Sequence, residues 1–408
     1  MSEHGSGRIN DPTSDRTGHE PGSADAIAAR CEDLVLDTHL RAVREHREKT
    51  GKGAIGFLPV YVPRELIAAA DLLPVGVAGG GDQIEIIRGD AYFQSYICQL
   101  PRSVIEMGLN GRLDVLDGMV FPATCDVIRN LSGMWRTLFP DKLVYYLDVP
   151  HNHDRKVGGR FYAEQLRALG RALAKISGVQ ATDERLREAI ARYDENRVLL
   201  DELWALRADK PHLVPTSEIY VVMRAGYVLP VEEHNAVLRA YLDGARARDR
   251  RELDQARVLL VGAFCEQPPL GLLRTLERAG CFIVDDDLLL GARFLSGPVD
   301  PEGDPYDALA AAWIDRGRPT PSRYLPNEEK GRWLVEACRE KRAQGVIFCA
   351  PSFCDPALLE QPMLQTALDA AGIPYTSFKY AENTAQFQSI REQSGTFADS
   401  ILLWSEAS

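Results

Sequence analysis

No apolar run in the chain approaches the roughly 18 residues needed to cross a bilayer, which excludes a membrane-spanning helix. Basic charge is short as well. Lysine and arginine total 47 against 59 aspartates and glutamates, a formal net charge of −12. A broad positive surface for nucleic acid or an anionic membrane is therefore missing, and an anionic substrate must be met by locally placed arginines. No C-x₂-C pair occurs, so the zinc-ribbon and thioredoxin patterns are absent. The phosphate-cradling spacing G-x-x-x-x-G-K-[ST] is also missing: GKGAIG (Gly51–Gly56) does not match it, and VAGGGD (Val77–Asp82) opens no helix and reads as a turn. No ATP site is expected in this chain. Eight cysteines in 408 residues do not make a disulfide framework. Residues 1–24 are rich in Gly, Ser and Asp, with no apolar core or cleavage-site pattern, and are expected to form a disordered tail. Together these absences point to a soluble, cytoplasmic protein.

Apolar residues make up 45% of the chain, enough for more than one sizeable core. Two segments rhyme. GMVFPATCD (Gly118–Asp126) runs into the helix-like DVIRNLSGMWRTLF, and GVIFCAPSFCDP (Gly345–Pro356) runs into ALLEQPMLQTALDAAG. Each reads as a short buried strand, a tight loop and a helix. Strands at AIGFLPV (Ala54–Val60), LPVGVAG (Leu73–Gly79) and LVYYLDV (Leu143–Val149) complete a first α/β unit over 25–160, with a peripheral helix at its start. Residues 161–255 are long, charged and helical in spacing, without a clear strand. A second α/β unit, 256–408, begins at RVLLVG (Arg257–Gly262). The expected fold class is α/β: two Rossmann-like domains with parallel sheets and a helical insert, an old duplication being plausible from the matching loops.

Cys98, Cys125 and Cys354 each sit in a loop just ahead of a helix. Helix amino termini stabilise thiolate, the form of cysteine that binds metal, and open α/β sheets bind ligands at this edge. A metal shared by the three and a set of unrelated structural thiols are the two readings. Three widely separated cysteines from both units suit an iron–sulfur cluster held between domains, its fourth iron open to substrate, water or a non-cysteine ligand. Cys31 and Cys338 in helical stretches, and Cys281 at a strand start, read as small buried hydrophobes. Cys265, in AFCEQPP, follows a strand at the same edge but is not counted among the ligands. His151 and His153 in DVPHNHD are candidate proton donors, a solvated loop being the alternative. Arg102, Arg129 and Asn130 flank the candidate ligands and are placed to meet an anionic substrate or a sulfide, with ordinary surface residues as the alternative.

The runs TGKGAIGFLPVYVPRELIAAADLLPVGVAGGGD, GDAYFQSYICQLPRS and LDVLDGMVFPATCDVIRNLSGMWRTLFPDK closely resemble class I, ATP-dependent benzoyl-CoA reductases. The likeness is greatest to their C-type (gamma) catalytic subunits, and it extends more broadly to the 2-hydroxyacyl-CoA dehydratase family. GVIF…FCDP and SIREQSGTFADSI fit the same pattern, and the similarity runs from about residue 35 to about residue 400. The resemblance implies a [4Fe–4S] cluster on Cys98, Cys125 and Cys354. Cys349 is the alternative third ligand, and Cys354 is favoured because it stands in the FCDP match. It also implies a second catalytic subunit of the same family, a pair of ATP-hydrolysing activator subunits completing a heterotetramer, reduced ferredoxin as electron donor, and benzoyl-CoA as substrate in anaerobic aromatic catabolism. The expected product is a cyclic dienoyl-CoA. A 2-hydroxyacyl-CoA dehydratase subunit, a lyase, is the alternative enzyme, and a metal-free scaffold or maturation protein the non-enzyme alternative.

Overall fold

The computed structural model describes residues 22–58, 60–288, 293–300, 302–323, 330–381 and 387–406, without the side chains of 404–406. Of the expected tail, residues 1–21 lie outside the described residues, and Ala24 already belongs to a helix that Ser23 caps. The first half of the chain runs α1 (Ala24–Leu36), α2 (Arg41–Thr50), β1 (Ala54–Phe57), α3 (Arg64–Ala69), β2 (Leu73–Gly76), α4 (Gln99–Leu109), β3 (Gly118–Pro122), α5 (Asp126–Leu138) and β4 (Leu143–Leu147). Four helices follow: α6 (Arg160–Ser177), α7 (Asp183–Asp209), α8 (Thr216–Ala225) and α9 (Val231–Arg246). The second half runs β5 (Ala256–Val261), α10 (Leu270–Arg278), β6 (Cys281–Asp286), α11 (Pro305–Arg316), α12 (Arg332–Glu340), β7 (Gly345–Pro351), α13 (Asp355–Ala371), β8 (Tyr375–Tyr380) and α14 (Phe387–Glu406).

The strands form two four-stranded parallel sheets, ordered β2-β1-β3-β4 and β6-β5-β7-β8. The two orders correspond strand for strand. Every residue of β1, β3 and β7 is buried, as expected of strands covered by helices on both faces. At the edges, β4 and β8 are mostly half-buried. One apolar core runs through both sheets and the helices between them, from Ile55 through Leu203 to Ile347.

The α6–α9 segment fastens the halves together. Helix α6 packs on β4, while α7 packs on α3 in the first unit and on β6 in the second. The indole N–H of Trp204 donates to Asp285 at 2.9 Å, and Arg207 Nη1 donates to Asp286 Oδ2 at 2.5 Å. The Arg207 guanidinium lies 4.4 Å from the centre of the Trp204 ring and is wholly buried. A buried arginine is tolerated only while its carboxylates neutralise it. Replacing Arg207 by alanine leaves buried Asp286 only the more distant Arg293, at 4.0 Å, as an ion-pair partner, and should cost about 3–5 kcal/mol, the usual range for breaking such a pair. Denaturant unfolding of the variant beside the native chain measures this; an unchanged midpoint would show that the pair contributes nothing.

Candidate metal centre

In an open α/β sheet the crevice for ligands opens beyond the carboxyl ends of the strands, where the strand order reverses. In this chain those points fall between β1 and β3 and between β5 and β7. Three cysteines stand at helix starts beside these points: Cys98 is the residue that caps α4, Cys125 caps α5 after β3, and Cys354 caps α13 after β7. A fourth, Cys265, lies in the loop after β5. Cys354 is 6% exposed, and the other three keep only a partial opening to solvent.

These four thiols feel one another. Burial raises the pKa of Cys98, and charge on Glu266, Cys354 and Cys125 raises it further. Burial pushes Cys354 up to about 12, with Glu266 and Cys125 adding to the effect. Cys265 is pushed well above the ordinary thiol value by burial, then by Cys125, Cys354 and Cys98. Cys125 is raised by burial, while the N–H groups of Ile128 and Val127 in the first turn of α5 pull the other way. The N–H of Ala357 at the start of α13 acts likewise on Cys354. Burial therefore favours uncharged thiols, while the first turns of α5 and α13 present N–H groups that favour the thiolate forms of Cys125 and Cys354. Among the described residues no three His, Cys, Asp or Glu side chains stand close enough to hold a single metal ion.

Glu266, 3% exposed, joins the two halves here. Its Oε2 accepts the Leu100 N–H at 3.0 Å, at the first turn of α4, which places a carboxylate from the second unit against the helix that Cys98 begins. Burial lifts its pKa to about 7 against the pull of the Leu100 and Gln99 N–H groups and of Arg102. The Tyr380 hydroxyl donates to the Glu266 carbonyl at 2.6 Å. From the other direction, the Ser322 hydroxyl donates to the Thr124 carbonyl at 3.2 Å, beside Cys125. On the second unit's own side, Gly262 takes φ +112° at the end of β5, a conformation that glycine alone adopts without strain, and its N–H donates to Asp287 at 2.6 Å. Phe353, directly before Cys354, is left-handed at φ +67° and 49% exposed.

The remaining candidates divide. Cys349 lies within β7 in the apolar core, where the charges near it are Asp287 and Asp286 and not the other thiols. Cys31, Cys281 and Cys338 are fully buried in packing positions. Arg102 is close enough to Cys98 to oppose the rise in its pKa, and it pairs with Asp90 at 2.9 Å. Arg129 and Asn130 are exposed on α5, the Arg129 guanidinium 5.8 Å from the Tyr146 ring centre. His151 Nε2 lies 2.9 Å from the Ala123 carbonyl, in the loop that leads to Cys125. His153 donates from Nδ1 to the Ile314 carbonyl at 3.0 Å and packs on Trp313. Glu266 drew no notice in the sequence; a carboxylate in AFCEQPP, just past a strand, was the signal available.

The sequence profile of the 2-hydroxyglutaryl-CoA dehydratase D-component matches residues 59–401. The chain belongs to this family. Cys98, Cys125, Cys265 and Cys354 all lie inside the matched segment. Among relatives, the C subunit of the Thauera aromatica benzoyl-CoA reductase is 51% identical over 93% of this chain and 99% of its own length. The (R)-2-hydroxyglutaryl-CoA dehydratase subunit beta of Acidaminococcus fermentans is 29% identical over 86% of this chain and 93% of its own. The (R)-phenyllactyl-CoA dehydratase beta subunit of Clostridium sporogenes is 28% identical over 90% and 96%. No described helix of this D-component family member is long and apolar enough to cross a membrane.

Burial, then the nearby Arg323 charge, depresses the His153 pKa from 6.5 to about 4, so the ring is neutral near pH 7. The unfolded chain takes up the proton first on acidification. The stability that His153 contributes is therefore complete above 6.5 and is lost as pH falls towards about 4. A His153→Gln chain should show a shallower fall in melting temperature across that interval, and parallel melting curves for the two proteins would refute the assignment.

Proposed function

We propose that the chain is the iron–sulfur catalytic subunit of an ATP-dependent benzoyl-CoA reductase. In this reading it passes low-potential electrons from ferredoxin towards the aromatic ring of benzoyl-CoA, and the product is a cyclic dienoyl-CoA. What supports the proposal is that Cys98, Cys125 and Cys354 stand at the starts of α4, α5 and α13, the last two just past the strands that border the switch points, in a chain 51% identical to the C subunit of a benzoyl-CoA reductase over nearly its full length. Cys98, Cys125 and Cys354 would hold a [4Fe–4S] cluster. When bound, that cluster supplies single electrons at low potential.

The protein's part is electrostatic and positional. The first turns of α5 and α13 direct N–H groups at Cys125 and Cys354, which offsets the cost of burying their thiolates. Glu266 holds the start of α4, and with it Cys98, against the second unit. Apolar packing by Phe264, Ala350 and Ala357 keeps water from the Cys354 side of the site. Partner proteins complete the assembly: a second family member, ATP-hydrolysing activators and ferredoxin, all in the cytoplasm. A reductase subunit and a dehydratase subunit differ in whether each turnover consumes reductant.

Two measurements test the reading. Iron per chain, after purification without oxygen, should fall in Cys98→Ser, Cys125→Ser and Cys354→Ser, because serine offers a harder oxygen ligand. It should stay unchanged in Cys349→Ser and in Cys31→Ser, Cys281→Ser and Cys338→Ser, which lose only packing worth on the order of 1 kcal/mol. Full iron in all seven variants would end the cluster reading. The co-purified complex should also consume reduced ferredoxin in fixed proportion to benzoyl-CoA converted; turnover of a 2-hydroxyacyl-CoA without net consumption of reductant would assign the chain to the dehydratases.

A further inference from the structure

We propose that the cavity between α7, α12 and the ends of β5 and β6 binds a small organic monoanion, its carboxylate at Arg318 and its apolar body against Trp333 and Val261. The proposal is independent of the metal centre. The cavity has a volume of about 540 Å³, within the roughly 300–1,000 Å³ of clefts that hold small molecules. Like those clefts it combines an apolar wall, here Leu259, Val261, Trp204, Trp333 and Ala337, with a few polar groups.

Charge on the polar side of this cavity does not cancel. Asp285 and Asp286 end β6, and Arg207 meets both, at 3.6 and 2.5 Å. Arg293, also buried, lies 3.8 Å from Asp285 and 4.0 Å from Asp286, with its guanidinium 3.8 Å from the centre of the Trp204 ring. Against the rise that burial alone would give, the charges of Arg293, Arg318 and Arg207 hold the Asp285 carboxyl below its ordinary value. Asp287 engages both oxygens with the N–H groups of Gly262 and Ala263, and Glu340 pairs with Lys341 at 2.6 Å. Arg316 donates only to neutral acceptors, the carbonyls of Ser296 at 2.6 Å and Pro298 at 2.7 Å. Four guanidinium groups (Arg207, Arg293, Arg316, Arg318) thus stand against three carboxylates (Asp285, Asp286, Asp287). The surplus shows in the hydrogen bonding: Nε and Nη1 of Arg293 and Nε of Arg318 are buried with no partner among the described residues. A buried cation short of counter-charge is costly, and Arg318, which lines the cavity, is where an entering anion supplies it. The same aspartates, with exposed Asp201 on the wall, disfavour a dianion, so a carboxylate fits better than a phosphate monoester. Trp204 and Arg207 also anchor α7 on β6, so an occupant adds to the stability of that junction.

Titration calorimetry and melting curves of the full chain test this site. The probe is phenylacetate, with phenylacetamide as its uncharged counterpart and inorganic phosphate as the dianion. Phenylacetate should bind saturably in the millimolar range or below and raise the melting temperature, whereas phenylacetamide and phosphate should do neither. Arg318→Gln should weaken phenylacetate binding at least about tenfold, the loss expected for one charge-assisted hydrogen bond. If that variant does not fold, Ala337→Phe takes its place; it fills the cavity without touching a charge and should abolish binding. A native chain that binds no phenylacetate overturns the proposal. So does phenylacetamide or phosphate bound as tightly as phenylacetate, or an unaltered affinity in either folded variant.

Discussion

Crowding several thiols into one nearly dry space is the constraint on which the rest of the structure depends. Each thiolate would destabilise its neighbours, so in the absence of metal the protein keeps them protonated by burial. Both units contribute thiols, Cys98 and Cys125 from the first and Cys265 and Cys354 from the second. Parallel strands send every carboxyl end in one direction, and two sheets of the same order then present matching switch points. The helix amino termini that follow are the compensating element, placed where negative charge appears once metal binds.

Holding two sheets around such a site requires rigid fasteners. Helix α7 is the largest, anchored on β6 through Trp204 and Arg207 and on α3 through the Arg197–Glu65 ion pair. Nearer the thiols the links are single hydrogen bonds, Glu266 to Leu100 and Ser322 to Thr124. They are short in reach but act directly on the residues next to Cys98 and Cys125.

Much of this was legible from residue order, since its causes are local. A buried apolar run, a tight loop and a helical period predicted where Cys125 and Cys354 would stand, and the change to long charged helices after Phe161 marked the segment without strands. What could not be read depends on contacts far apart in sequence. His153 is neutral because burial beside Trp313, and then the charge of Arg323, 170 residues further on, lower its pKa. Glu266 matters because it meets Leu100, 166 residues away. The separate fates of Cys349 and Cys354 follow from where β7 ends, one inside the strand and core, the other at the cap beyond it. The motif spacing alone could not make that distinction.

The division of the thiols between two sheets also sets an order on biosynthesis. Cys98 and Cys125 leave the ribosome with the first unit, but Cys265 and Cys354 are made only after the α6–α9 segment. At about 5–20 residues per second, the early thiols wait on the order of ten seconds for the late ones. During that time the nascent chain carries a half-built pocket of unpaired cysteines. If the centre proposed above holds metal, its loading is a late event, and a chain that ends within the helical segment lacks half of the thiols that would hold it.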